Sequence, residues 1–207
     1  MKVLLVNGSP RPEGNTHIAL TEIARTLEAE GIDTEIVHIG VKAVRGCIAC
    51  GRCKELATGS CVFDDDVTNR ISAKFAEADG FVFGSPVYYG QPNGALLSVM
   101  QRAFYSNGPA VQGKPAASVV ICRRGGATAA FQTLNMPMQM MNMPIASSQY
   151  WNLAYGREPG QAALDDEGMQ TMRTLARNLA WMLRGLRSDG APQCPEREAW
   201  TPTHFIR

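Results

Sequence analysis

Short apolar runs alternate with longer stretches of helical period through the first 187 residues, and that alternation leaves few folds open. Lys2–Asn7 (KVLLVN), Glu35–Ile39, Gly80–Ser85 (GFVFGS) and Ala117–Cys122 (ASVVIC) are four such runs, and Ile145–Tyr150 reads as a fifth. Nearly continuous apolar runs of this length are strands buried on both faces. Between them lie helical patterns. From Thr16, the residues Ala19, Ile23 and Leu27 recur at three- and four-residue spacing and end near Gly31. Val67, Ile71 and Phe75 follow an Asp64–Asp66 run suited to an N-cap. Asn93–Ser106 places Leu96, Leu97, Met100 and Phe104 on one face. The last stripe, Met172, Leu175, Leu179, Leu183 and Leu186, runs from about Asp166 to Arg187. Strands alternating with helices predict an α/β fold with a parallel sheet covered on both sides. Five strands suit the doubly wound order 2-1-3-4-5, in which ligands bind at the carboxyl ends of the strands.

The expected domain therefore spans residues 1–187, with a cysteine-rich insertion at about 40–64. The tail, 188–207, reads as irregular, either crossing a partner subunit or mobile. A chain of 207 residues can bury one sizeable core without dividing. Its net charge of +1 gives no reason to expect nucleic acid or an anionic membrane as partner. No apolar run approaches a membrane span, and the opening MKVLLVNGSP has too short an apolar run for a signal peptide. A cytoplasmic protein is expected, where structural disulfides are rare and clustered cysteines point to metal or redox chemistry.

Three loops would meet at the carboxyl ends of the central strands. The first, NGSPRPEGNTH, lacks the Gly-Lys-Ser/Thr ending of a nucleotide P-loop and the spacing of a dinucleotide turn. It carries donors for one terminal phosphate: the Ser9 and Thr16 hydroxyls, the Arg11 fork, the Asn15 amide and free amides at a helix start. An ordinary capped turn would not need so many. The second, GSPVYYGQPNG, fixes a turn at Pro86 and offers Val87–Gly90 amides beside Tyr88 and Tyr89, a mixture suited to a flat heteroaromatic ring. Alternatively the tyrosines plug the sheet end. In the third, CRRGGAT, Gly125 and Gly126 permit positive φ or close backbone approach. Arg123 and Arg124 either favour an anionic ring or are simply solvated.

Taken in order, GSPRPEGNT, GSPVYYGQPNG and RRGG resemble the flavodoxin-like NADPH-dependent FMN reductase family, and CIACGRC…C with the DDD that follows resembles its iron–sulfur flavoprotein branch. The resemblance covers about residues 1–150. It implies that Ser9, Arg11, Asn15 and Thr16 hold the FMN phosphate, that Pro86, Val87, Tyr88, Tyr89 and Gly90 line the isoalloxazine, and that Arg123, Arg124, Gly125 and Gly126 close its other side. It also implies a homodimer or homotetramer with the flavin near a subunit interface.

The four cysteines, Cys47, Cys50, Cys53 and Cys61, have the spacing C-x2-C-x2-C-x7-C. Zinc is usually held by two separated knuckles, whereas here a third cysteine crowds a single pair. A 4Fe-4S cubane presents separate irons, so a compact loop can ligate three and a more distant cysteine the fourth. Arg45, Arg52 and Lys54 could offset the negative charge of such a cluster, or could equally activate unliganded thiols. Cluster, zinc and free thiols all stay open. Position at the carboxyl end of the second strand would allow electron exchange with a flavin.

Other residues carry blander readings. Five methionines between Met136 and Met143 read as adaptable packing rather than a copper(I) site, with Pro137 and Pro144 interrupting or bounding any helix there. His17 reads as a surface residue at a helix start and Cys122 as core, while Cys194, Trp200 and His204 support no chemistry. The leading expectation is an FMN oxidoreductase taking electrons from NAD(P)H to a flavin, quinone or other small acceptor, with the chemistry carried by the flavin and no catalytic acid or base. One alternative is an iron–sulfur electron carrier served by a ferredoxin-like redox protein. Another is an FMN-binding regulatory protein without turnover.

Overall fold

The apolar runs become the core strands in a computed structural model that describes residues 1–199, 201 and 203. The strands are β1 (Lys2–Asn7), β2 (Asp33–His38), β3 (Gly80–Tyr88), β4 (Gln91–Pro92), β5 (Ala116–Cys122) and β6 (Leu153–Tyr155). The helices are α1 (Asn15–Ala29), α2 (Arg52–Leu56), α3 (Thr68–Ala73), α4 (Gly94–Asn107), α5 (Ala127–Met140) and α6 (Asp166–Arg187). Five strands form a parallel sheet in the order β2-β1-β3-β5-β6, and β4 folds back antiparallel on β3. With the two-residue β4 set aside, this is the expected doubly wound order.

Side chains alternate across each strand and so divide the core in two. Val3, Leu5, Val82, Val119 and Ile121 face α1 and α6, where Leu20, Ile23, Leu27, Leu175 and Leu179 meet them. Leu4, Val6, Phe81, Phe83 and Val120 face α3, α4 and α5. On that second side Phe75 lies edge-on to Phe81 and Phe104 edge-on to Phe83, with ring centroids 5.3 and 5.6 Å apart. Removing such a ring costs about 3–5 kcal/mol, so this face sets much of the stability.

Four expectations are corrected. The fifth strand is Leu153–Tyr155 rather than Ile145–Tyr150. Ile145 makes only an isolated bridge with Ala116; the chain then leaves the sheet, where Ser148 Oγ bonds Thr171 O, and returns at Asn152. Ile145–Tyr150 (IASSQY) carries two serines and a glutamine, whereas the true strand is only three residues long, with Leu153 and Ala154 buried, too short to stand out as an apolar run. Pro137 does not interrupt its helix: α5 runs through it to Met140. Leu186 stands 40% exposed beyond the buried stripe of α6, which ends at Leu183. The expected helix after Asp64–Asp66 is shorter than its pattern, although Phe75 is buried just past its end. Trp200 and His204 lie outside the described residues. No helix among those residues is long and apolar enough to cross a membrane.

Candidate functional site

At the carboxyl ends of β1, β3, β5 and β6 the strand-to-helix loops enclose a hollow of about 210 Å³. Ser9, Arg11, Asn15 and Thr16 line it from the first loop, Pro86, Val87 and Tyr88 from the second, and Arg123 from the third. A larger hollow, about 1230 Å³, lies beside Met1, Asp79 and the 191–197 segment. That one is at the amino ends of the strands, where the doubly wound topology builds no ligand crevice.

The first loop is held from several sides. Asn7 Oδ1 accepts from Ser9 N at 3.0 Å, Asn93 Nδ2 donates to Gly8 O at 2.7 Å, and His38 Nε2 lies 2.7 Å from Ser9 O. Gly8 admits no side chain, because a Cβ would come within 2.6 Å of Leu96 and 2.8 Å of Gly84 O. Helix α1 starts without a side-chain cap, so its first amides remain directed at the hollow. Ser9 Oγ accepts from Arg11 N at 3.1 Å, which leaves the hydroxyl proton to donate. An anion at such a helix start gains about 0.3–2 kcal/mol from the helix dipole.

Asn15 has a different engagement from the expected one. Its Nδ2 donates to Glu158 O at 2.9 Å and its Oδ1 accepts from Ala162 N at 3.1 Å, fastening the loop after β6 to the start of α1. Tyr89, Gly90, Arg124, Gly125 and Gly126 do not line the hollow. Tyr89 and Gly90, both at positive φ, form the two-residue turn joining β3 to β4, and Tyr89 is fully exposed at its tip. Gly126, at φ +87°, packs against that turn, and a Cβ there would come within 2.7 Å of Gly90 Cα. Gly156 and Arg157 complete the wall and were missed by sequence reasoning. They follow the true fifth strand, so misplacing that strand hid the loop that carries them. Burial pushes the Cys122 thiol up, so this cysteine at the hollow's floor stays a neutral thiol.

A second, small hollow of about 20 Å³ is lined by Cys47, Cys50, Cys53 and Cys61, with Ile48, Val62 and Phe63 as apolar wall, but among the described residues no three of these side chains are close enough together to hold a metal ion as they stand. All six cysteines of the chain are free of disulfides. Positive φ at Ala49 and Gly51 bends the loop so that its thiols face one space, and Ala49 N already donates to Cys47 Sγ at 3.4 Å. Asn69 clamps Cys61 through both backbone groups, accepting from its N–H at 2.9 Å and donating to its carbonyl at 2.8 Å. The cations expected to serve the cysteines are turned to other partners. Arg45 pairs with Asp65 and stacks on Phe63, Arg52 pairs with Glu55, and Lys54 lies over Tyr105.

The cation that reaches a sulfur is Arg102 of α4, buried to 1% exposure. Its Nε donates to Cys61 Sγ at 3.3 Å, Nη1 to Asp66 and to Arg45 O, and Nη2 to Phe63 O at 2.7 Å. Burial works against charge in both partners. The Thr68 amide and Arg102 nevertheless hold the Asp66 carboxyl below the usual carboxylate range, and Cys61 and Asp66 keep Arg102 charged. In the sequence Arg102 is one polar residue near an apolar stripe, and its partners lie 36 to 57 positions earlier. No local pattern could have found it.

A parallel doubly wound sheet whose strand-end loops enclose one hollow is a flavodoxin-like architecture. Residues 1–158 match the family model of NADPH-dependent FMN reductase, and the chain belongs to that family. An iron-sulfur flavoprotein of Methanocaldococcus jannaschii is 33% identical over 192 residues, 89% of this chain and 98% of that protein. One from Methanosarcina thermophila is 28% identical over 188 residues, covering 88% and 95%. Among solved structures, a flavodoxin from the domain Archaea superposes with a TM-score of 0.60 at 17% identity, covering 89% of this chain and 99% of that one. The protein is thus a flavoprotein of the oxidoreductase or electron-carrier kind.

Proposed function

We propose that the chain binds FMN in the hollow at the strand ends and a 4Fe-4S cluster among Cys47, Cys50, Cys53 and Cys61, and exchanges electrons between them. The observation that carries this reading is that all four cysteines line one small hollow, with N–H donors at two of the sulfurs; the thiols are not already gathered as a metal-binding group among the described residues, so the cluster itself would draw them together. Hydrogen bonds to sulfur and an apolar wall are what a thiolate-bound cluster requires of its protein. The names of the relatives, iron-sulfur flavoproteins, agree with it. FMN, when bound, accepts a hydride's two electrons or single electrons, and a cluster passes them one at a time.

The chain's own residues would bind and orient. Ser9, Thr16 and the first α1 amides hold the phosphate, with Arg11 supplying charge from the mouth. Asn15 acts as a strut for the wall that carries Arg157. Pro86–Tyr88 and Arg123 bound the ring end, and Tyr89, Gly90, Arg124, Gly125 and Gly126 shape and flank its mouth. The hollow is smaller than the roughly 300–1,000 Å³ of pockets that engulf a ligand, so it would take the phosphate end and leave the flat ring at an open mouth. An open mouth suits a homodimer or homotetramer whose second subunit borders it on one side and leaves the other to a small acceptor or a redox protein.

The donor separates two readings. A single-electron carrier takes electrons from a ferredoxin-like protein through the cysteine hollow; a simple reductase takes them from NAD(P)H at the flavin, as the family's name suggests. Anaerobic protein and a Cys50→Ser variant, each mixed with reduced ferredoxin and then with NADH or NADPH, decide between them. The carrier reading expects ferredoxin to bleach bound FMN in the parent and at least tenfold more slowly in the variant. Equal, rapid bleaching of both proteins by NAD(P)H, with no response to ferredoxin, would establish the simple reductase instead.

A further inference from the structure

Among the described residues Arg102 is the largest fully buried side chain, and its placement is costly unless it has a task. A buried ion pair such as Arg102–Asp66 can often be replaced by apolar residues at no loss of stability. Anchoring the cysteine loop explains part of its presence, since Nη1 and Nη2 donate to the Arg45 and Phe63 carbonyls. It does not explain the remaining direction. Nε–H points at the sulfur of Cys61, the cysteine set apart from the compact loop, at 3.3 Å. That same residue has its backbone fixed on both sides by Asn69. Side chain and main chain of Cys61 are therefore positioned independently, from two different helices, α4 and α3.

We propose that Arg102 is a positioning and potential-setting residue for the cysteine-bound cluster, raising its reduction potential through a charged hydrogen bond to Cys61. This rests on the reading of the four cysteines as cluster ligands. An electron arriving behind Cys61 adds one unit of negative charge to the thiolate-ligated group. A fixed cation whose N–H reaches the ligand sulfur stabilises that reduced state more than the oxidised one. Hydrogen bonds to cluster sulfurs and nearby net charge are the protein's main means of tuning such potentials. Asp66 balances the guanidinium on the side away from the sulfur, which makes burial tolerable without turning the Nε edge from Cys61.

The test uses the full chain purified without oxygen, as parent, Arg102→Gln and Arg102→Lys. Iron and acid-labile sulfide are measured first, then the midpoint potentials of cluster and FMN by spectroelectrochemistry. Arg102→Gln should shift the cluster midpoint to more negative values and leave the FMN midpoint in place. Arg102→Lys, which keeps the charge and loses the planar fork, should shift it in the same direction by less. If Arg102→Gln fails to fold, the lysine variant alone carries the test. Parent protein with iron and a midpoint unmoved in the variants would overturn the inference and leave Arg102 a structural anchor. Parent protein with FMN and no iron would overturn the cluster reading, and this inference with it.

Discussion

Ser9 and Arg11 are coupled before any ligand arrives, because the Arg11 amide already donates to the Ser9 hydroxyl. With Thr16 they supply the side-chain donors at the first loop, beside the amides that open α1. A Ser9→Ala, Arg11→Ala double variant should weaken FMN binding by about 10- to 100-fold, the loss of one or two charge-assisted hydrogen bonds. Its circular dichroism should match the parent, and fluorescence quenching of titrated FMN measures the affinity. Unchanged affinity would mean the phosphate binds elsewhere. Their place at the hollow was legible in the sequence because a strand-to-helix turn after the first strand of a doubly wound sheet lies at the strand ends. The bracing role of Asn15 was not legible, for the opposite reason. Its partners, Glu158 and Ala162, are 143 and 147 positions away, and an amide beside a phosphate looks the same in sequence as an amide bracing a distant loop.

Among the elements, the hairpin of β3 and β4 shows how backbone conformation shapes a site that its own side chains do not fill. Its turn places Tyr89 in the left-handed region, where a non-glycine residue costs about 1–3 kcal/mol, and Gly126 buttresses Gly90 from the neighbouring loop. A Gly126→Ala change puts a Cβ into that contact and imposes the left-handed penalty as well. It should destabilise the protein by about 2–4 kcal/mol in urea unfolding and loosen FMN retention. Parent-like stability and retention would show that the two loops are not mechanically joined. The double glycine was legible as a close approach, but not what it approaches. Strand positions were clear wherever both faces are buried, as in β1 and β5. They failed at β6, where the strand is only three residues long and so leaves no recognisable apolar run. That one displacement also concealed Gly156 and Arg157.

Across the molecule, two hollows share no residue and are linked by α4. Asn93 caps α4 beside the first loop, and Arg102 lies about 12 Å farther along the helix than Gly94, where it faces the cysteines. The cysteine segment packs against α4, with Arg102 donating to Arg45 O and Arg102 and Tyr105 lining the cysteine hollow. The flavodoxin-like order was readable because alternating strands and helices have few right-handed solutions. The cysteine hollow was readable as a spacing and not as a site, since its fourth wall, α4, comes from another part of the chain. Everything proposed about electron exchange depends on what the four cysteines hold. The most direct measurement is iron and acid-labile sulfide per FMN on protein purified without oxygen. About four of each per flavin is the result expected of a 4Fe-4S cluster. FMN with negligible iron and sulfide would contradict it and leave Cys47, Cys50, Cys53 and Cys61 as thiols beside a simple flavin reductase.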